Sequence, residues 1–269
     1  NNLKKILGLQ QGKVYSSVKE LRYGKLMIMT DADNDGSHIK GLVLNMFHYF
    51  WPSLLEIGFV ICMVTPIVKA TKGKQQKWFF TDSAFRADES SKPGSGWKVK
   101  YYKGLGTSTS VEAKEYFKSI EKLTVGFEVD EETDDSVVLA FDKTKADARK
   151  LWLTKNSSGH EEINYGSINS LTVTKFIHND LVDFSLADVK RSIAHMCDGF
   201  KPSQRKVLFA CFKKNLKDDM KVAQLAAYVS ETTAYHHGEV SLADTIVKMA
   251  HDYVGSNNMN LLYPSGQFG

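Results

Sequence analysis

A strand, an acidic turn and a helix follow one another between Lys25 and Pro52, and no other stretch of the chain narrows the fold so far. Lys25 to Thr30 (KLMIMT) is a short apolar run compatible with a strand. It ends in Asp31-Ala32-Asp33-Asn34-Asp35-Gly36-Ser37, after which Ile39, Leu42, Val43, Met46, Phe47 and Phe50 recur at steps of three and four. That spacing predicts a helix presenting these residues on one face and stopped by Pro52. A second run, Phe59 to Val64, is continuously apolar, as a strand covered on both faces is, and leads into Thr65-Pro66-Ile67-Val68. The expected architecture is an open α/β sheet with carboxylates at the C-terminal end of a strand, where such sheets place their ligands.

Asp31, Asp33 and Asp35 alternate over five residues, and carboxylates so close stay ionised together only if a cation or a basic partner offsets their repulsion. Mg²⁺ suits such a turn, because it takes one or two carboxylates, keeps several waters and binds phosphate oxygens. Calcium in an EF-hand loop does not fit. Counting from Asp31, the twelfth position is Leu42 rather than a bidentate carboxylate, and the preceding segment is strand-like. Two other readings stay open at this level: a haloacid-dehalogenase-like phosphatase with Asp31 as nucleophile, and an Asp-rich turn that only caps the following helix.

Composition bounds the rest. The chain has 269 residues, 42% of them hydrophobic, and a net charge of +4, which is enough for one or two domains. No apolar run approaches a membrane span, and the N-terminus has no signal-peptide core, so neither a secreted nor a membrane protein is expected. Cys62, Cys197 and Cys211 are far apart and odd in number, which suits a reducing compartment. Charge is clustered: Lys190 to Lys221 holds nine basic and three acidic residues, whereas Glu128 to Asp135 holds six acids, expected as a solvated loop. Trp97 to Tyr102 alternates like a half-exposed strand, and Gly104-Leu105-Gly106-Thr107 turns into a helix through Glu112, Tyr116 and Ile120. The Ser/Gly/Asn-rich stretch 156–170 reads as a domain junction between residues 1–155 and 171–269. Beyond it, stripes at Val207, Leu208, Cys211 and Phe212, at Val222, Leu225 and Val229, and at Ala243, Ile246, Val247 and Ala250 predict short helices, with a hairpin in Gly255 to Gly269. That pattern, with a basic second helix, suggests a helix-turn-helix or winged-helix module.

Seven segments, in order, resemble the eukaryotic-type type IIA DNA topoisomerases (topoisomerase II). They are Arg22-Tyr23-Gly24-Lys25 through Leu42; Thr65 to Lys69; Lys98 to Ser108; Asp198 to Pro202 with Gln204 to Leu208; Lys221 to Ala226; Tyr235-His236-His237-Gly238-Glu239; and Val254 to Asn258. The resemblance implies a Rossmann-like TOPRIM domain with an open, mostly parallel sheet, followed by a mainly helical winged-helix domain. It also implies an ATP-dependent enzyme, homodimeric and nuclear, that makes and reseals a double-strand break in DNA through 5′-phosphotyrosyl links and Mg²⁺. Carried over residue by residue, Asp31 and Asp33 ligate Mg²⁺ and Asp35 shares the second metal position. Lys103, Arg149, Lys150, Lys201, Arg205, Lys206, Tyr235, His237 and Ser241 lie at or beside DNA contacts. Physically, the basic helix after Pro202 would neutralise duplex phosphates. Read structurally instead, His237 only satisfies a turn and Tyr235 only packs. The family's upstream glutamate and its arginine–tyrosine pair find no match, the latter expected past Gly269, so no tyrosine here is assigned as nucleophile. The chain alone is expected to be inactive in cleavage, and the ATP site lies elsewhere. Ala194 and Ser203 stand where the family commonly has proline and glycine.

Overall fold

The computed structural model describes residues 2–102 and 104–266. The chain divides into two units, Asn1–Leu186 and Ala187–Gly269. The strands are β1 (Leu26–Met29), β2 (Val60–Met63), β3 (Val68–Lys72), β4 (Gln75–Phe79), β5 (Lys98–Tyr101), β6 (Thr124–Glu128) and β7 (Ser170–Thr172), all in the first unit. Its helices are α1 (Asn2–Leu7), α2 (Asn34–Phe50), α3 (Pro52–Glu56), α4 (Asp82–Ala87), α5 (Ser110–Lys118), α6 (Thr133–Phe141), α7 (Ala146–Asn156) and α8 (Val173–Phe176). A π-helical turn, Ile177–Leu181, leads into α9 (Val182–Ser192), which carries the chain across the division to α10 (Pro202–Lys214), α11 (Val222–Thr233) and α12 (Glu239–Ala250).

The larger sheet has the order β1-β2-β6-β7, with β1 parallel to β2, β2 antiparallel to β6 and β6 parallel to β7. It is therefore the open, parallel-containing sheet expected, and the acidic turn follows the C-terminal end of β1. A second, antiparallel sheet, β4-β3-β5, contains the alternating strand expected near Trp97. The larger sheet is covered by α2 and α3, where Phe47 packs with ring centroids 5.8 Å from Trp51 and 5.9 Å from Phe59. All three rings are buried, and burying a side chain of this kind contributes roughly 1.5–3 kcal/mol. The Trp51 indole N–H donates to the Gln10 carbonyl at 2.8 Å, so its polar edge is not orphaned.

The buried face of α2 coincides only in part with the one its apolar spacing predicts: Phe47 is buried, and Val43 and Met46 pack against the core. Ile39, Leu42 and Phe50 are 50%, 47% and 39% exposed. The face turned inward runs through Ser37, Gly41, Leu44 and Phe47. A Cβ on Gly41 would lie 3.0 Å from Leu181 Cδ1 and 3.2 Å from Phe141 Cζ, so close packing selects the small residues.

The junction expected at 156–170 is also displaced. Strand β7 pairs with β6 through Leu171 and Phe127, and Val173, Phe176, Ile177, Leu181, Val182 and Phe184 are buried in the same core. The stretch 156–170 is thus a connection inside the first unit, and the division falls after Leu186 because the chain remains committed to that core until there.

In the second unit α10, α11 and α12 meet through Val207, Ala210, Cys211, Leu225, Val229, Leu242 and Ile246. Phe212, expected in the stripe, is 79% exposed. Asn215 ends α10 at φ 50°, a left-handed position that asparagine tolerates. Among the described residues, 251–266 contain no strand, so the expected hairpin is not formed there. All three thiols are free, with Cys62 and Cys211 buried and Cys197 exposed. Burial pushes the Cys62 thiol up to about 11, which keeps it protonated and inert. No helix among the described residues is long and apolar enough to cross a membrane.

Candidate metal centre and nucleic-acid surface

The end of β1 and the start of α2 hold two aspartates by backbone donors. Asp33 is the N-cap of α2, its Oδ1 accepting the Gly36 N–H at 2.7 Å. Asp31 Oδ1 accepts the Leu105 N–H at 2.6 Å, which fastens it to the turn after β5. Two glycines make this possible. A Cβ on Gly36 would lie 2.0 Å from the Asp31 carbonyl oxygen, and one on Gly104 would lie 2.6 Å from Asp31 Cγ. Asp31 and Asp33 line one cavity of about 140 Å³. Asp35, in the first turn of α2, is not among its walls.

That cavity rests on a polar cluster which sequence reasoning missed. Asp180, on the π-helical turn, accepts from Ser37 Oγ at 3.0 Å, Lys40 Nζ at 3.0 Å and Tyr165 Oη at 2.7 Å. Lys40 also lies 5.1 Å from the centre of the Tyr165 ring. Burial, and then the Asp180 carboxylate, push the Tyr165 phenol above its ordinary range, so it stays a donor. Ser37 and Lys40 both lie on α2, so the cluster pins the N-terminal half of the helix that Asp33 caps. The only signal in the sequence is an acid, one of two with Asp183, set among the apolar residues between Phe176 and Phe184.

Among the described residues no three His, Cys, Asp or Glu side chains converge as a closed metal cage. Mg²⁺ does not require one, since one or two carboxylates, waters and a phosphate oxygen complete its shell. Asp31 and Asp33 fit that demand: each has one oxygen engaged by a backbone N–H and a second oxygen that this bond does not use. The close approach of Gly104 gives the Asp31 carboxylate a cradle that any larger residue would fill.

In the second unit, five of the expected contact residues line one cavity of about 380 Å³: Lys201, Lys206, Tyr235, His237 and Ser241. Lys206 Nζ lies 5.7 Å from the centre of the Tyr235 ring, Tyr235 Oη is 3.3 Å from Ser241 Oγ, and Tyr235 meets His237 edge to face at 5.5 Å. The cavity also includes Arg191 and Ser192, which motif matching did not single out although Arg191 belongs to the basic run. Arg205 is not in its lining. Its guanidinium pairs with Asp198 at 2.7 and 2.6 Å. The Phe200 backbone N–H, reinforced by Arg205, holds the Asp198 carboxyl below the usual range.

The remaining expected contacts lie in the first unit. Arg149 Nη1 donates to the carbonyls of Leu139, at 3.0 Å, and Asp142, at 2.5 Å, at the end of α6. Lys150 pairs with Asp147 at 2.8 Å on the surface of α7. Lys103 lies outside the described residues.

Residues 63–189 match the family described as the C-terminal associated domain of TOPRIM, and residues 191–269 match the DNA gyrase/topoisomerase IV family. The chain is 53% identical to "Probable DNA topoisomerase 2" of Dictyostelium discoideum, over 100% of its own length and 18% of that protein's. It is 51% identical to DNA topoisomerase 2-alpha of Homo sapiens, again over 100% of the chain and 18% of the relative. It is also similar to the crystal structure of the Plasmodium falciparum topoisomerase II DNA-binding, cleavage and re-ligation domain. That match has a TM-score of 0.80 at 48% identity and covers 100% of this chain and 37% of that one. The chain thus spans about a fifth of the length of the curated relatives it matches. None of these similarities favours the phosphatase reading. With two matching families end to end, relatives at half identity along its whole length and the acidic turn at the end of β1, the chain belongs to the type IIA, eukaryotic-type DNA topoisomerase II family.

Proposed function

We propose that this chain is part of a DNA topoisomerase II in which the acidic turn holds Mg²⁺ and the cavity of the second unit receives the phosphate backbone of a duplex. In the intact protein the reaction is transient double-strand cleavage and resealing, with a tyrosine oxygen attacking phosphorus and a 3′ oxygen leaving. The nucleophilic tyrosine is not assigned to this chain, and the ATP that drives the cycle binds elsewhere. Bound Mg²⁺ supplies charge stabilisation to the departing oxygen. Asp31 and Asp33 would hold it, while Asp35, one residue into α2, would serve a second metal position. Lys201, Lys206, Tyr235, His237 and Ser241 would position the strand, since contacts to phosphate fix register more than sequence. Arg205 and Lys103 extend the same reading, and Arg149 and Lys150 belong to it only if they exchange their present partners for phosphate. The intact enzyme would act as a homodimer in the nucleus, and this chain alone would bind DNA and Mg²⁺ without turnover.

The observation that carries this reading is the pair of carboxylates sharing one cavity, each fixed by a backbone N–H. The test is Asp31→Asn in the full-length protein, assayed for covalent attachment to duplex DNA in Mg²⁺. Attachment is expected to disappear, with duplex affinity retained. Attachment at the parental level would remove Asp31 from the reaction.

A further inference from the structure

Glu112 makes more contacts than its place in α5 requires. It stands three residues after the N-cap Thr109 and closes a capping box: Thr109 Oγ1 accepts the Glu112 N–H, and Glu112 Oε2 accepts the Thr109 N–H at 2.7 Å and its hydroxyl at 3.0 Å. That alone would secure the helix start. The same carboxylate also accepts Lys100 Nζ on both oxygens, at 2.9 and 2.7 Å, and the Tyr102 hydroxyl at 2.6 Å. Burial by itself would raise its pKa, yet the Lys100 ammonium, the Thr109 N–H and the Tyr102 hydroxyl hold the carboxyl down to about 2. Lys100 and Tyr102 stand before the Gly104 turn and Thr109 stands after it. One carboxylate therefore ties both stems.

The turn between those stems is the element that touches Asp31. It closes on itself through Thr107, whose N–H and hydroxyl both donate to the Gly104 carbonyl, at 3.1 and 2.7 Å. From it the Leu105 N–H reaches Asp31 Oδ1, and the Gly104 Cα faces the same carboxylate closely enough to leave no room for a Cβ. Displacing either stem moves the donor and the cradle together.

We infer that Glu112 is a positioning residue for Asp31: by stapling Lys100 and Tyr102 to Thr109 it fixes the turn that orients the proposed metal-binding carboxylate. This rests on the metal reading above. A purely structural role for Glu112 would be served by glutamine, which caps a helix as glutamate does but loses the charge-assisted bonds to Lys100.

The test uses Mn²⁺ as the probe, titrated into the full-length protein without DNA and read by electron paramagnetic resonance. Glu112→Gln is expected to weaken Mn²⁺ binding about tenfold, in the range seen when an outer-shell partner of a metal ligand is lost, with thermal stability and duplex affinity near the parent's. Lys100→Met should do the same, and the double variant should be no weaker than either single one, because both break one staple. Glu115→Gln, which removes the partner of Lys69 on the same helix, should leave Mn²⁺ binding unchanged. Hydrogen exchange at the Leu105 amide, measured without metal, should quicken in Glu112→Gln. Parental Mn²⁺ affinity in Glu112→Gln, alongside loss of binding in Asp31→Asn, would overturn the positioning role and leave the metal reading standing. Absence of any Asp31-dependent Mn²⁺ binding in the parent would overturn both.

Discussion

In the first unit the two candidate metal-binding carboxylates are held by backbone donors, whereas in the second unit Arg205, Lys206 and Tyr235 are held by other side chains. Asp31 and Asp33 accept N–H groups at 2.6 and 2.7 Å from segments where glycine leaves no space for a Cβ. Arg205 instead lies on Asp198, Lys206 on the Tyr235 ring and Tyr235 beside Ser241. Backbone donors cannot rotate away, so the carboxylate geometry is set when the chain folds. That suits a small cation with near-ideal octahedral demands. Side-chain partners exchange readily, and a guanidinium trades a carboxylate for a phosphate without losing its bidentate geometry. On the proposed function, the first site is shaped for an ion and the second for a polymer whose phosphates vary in position.

The largest effect expected from this contrast is at Gly36. A methyl group there meets the Asp31 carbonyl, a backbone atom that cannot step aside, at 2.0 Å. Gly36→Ala should therefore destabilise the first unit by about 3 kcal/mol, the upper range for overpacking. All four tryptophans, Trp51, Trp78, Trp97 and Trp152, lie in that unit, so their fluorescence during urea unfolding reports on it alone. A loss under about 0.5 kcal/mol, the usual size for an exposed substitution, would mean that the turn yields and that the backbone does not fix it. A smaller effect is expected at Arg205. If it leaves Asp198 for a phosphate, Arg205→Ala flattens the slope of log affinity for duplex DNA against log salt by about 0.9. An unchanged slope would show that the pair with Asp198 persists in the complex, and Arg205 would then belong to the scaffold of the loop before α10.

The sequence makes the first site legible because its chemistry is local: Asp31 and Asp33 are two residues apart at a strand end, and turn, spacing and helix can all be read together. Asp180 is not legible in that way, since it meets Lys40 across 140 residues. The inner face of α2 is read only in part, because Gly41, which packs against Leu181 and Phe141, carries no apolar weight in a periodicity count. The domain division is misplaced for a related reason. Strand β7 is three residues long and a π-helical turn soon follows, and its wider i to i+5 spacing breaks the rhythm by which a helix is recognised. In the second unit, clustering of basic residues points to the surface that carries the cavity of Lys201 and Lys206, but charge alone cannot show which cation already has a partner, as Arg205 does there and Arg149 does in the first unit. The turn that fastens Asp31 is visible in the sequence as Gly104-Leu105-Gly106, but only as a turn. What it touches depends on the register between two sheets.

The smallest effect expected is at Ala234, where the second unit carries a strain that the first avoids by using glycine. Ala234 ends α11 at φ 49°, in the left-handed region, immediately before Tyr235. An alanine there costs about 1–2 kcal/mol, and glycine would remove that cost while adding roughly 0.5–1 kcal/mol of its own in chain entropy. Ala234→Gly should therefore stabilise the second unit by about 0.5 kcal/mol, the difference between those two terms. Hydrogen exchange of the α11 amides is the measurement to use, because tryptophan fluorescence does not see this unit. Duplex affinity should stay at the parental level if Tyr235 is held by Lys206 and Ser241, as its contacts indicate. Weaker binding together with higher stability would show instead that the left-handed turn aims Tyr235 and His237. The second site would then be held by its backbone, like the first, and the contrast between them would reduce to one of charge.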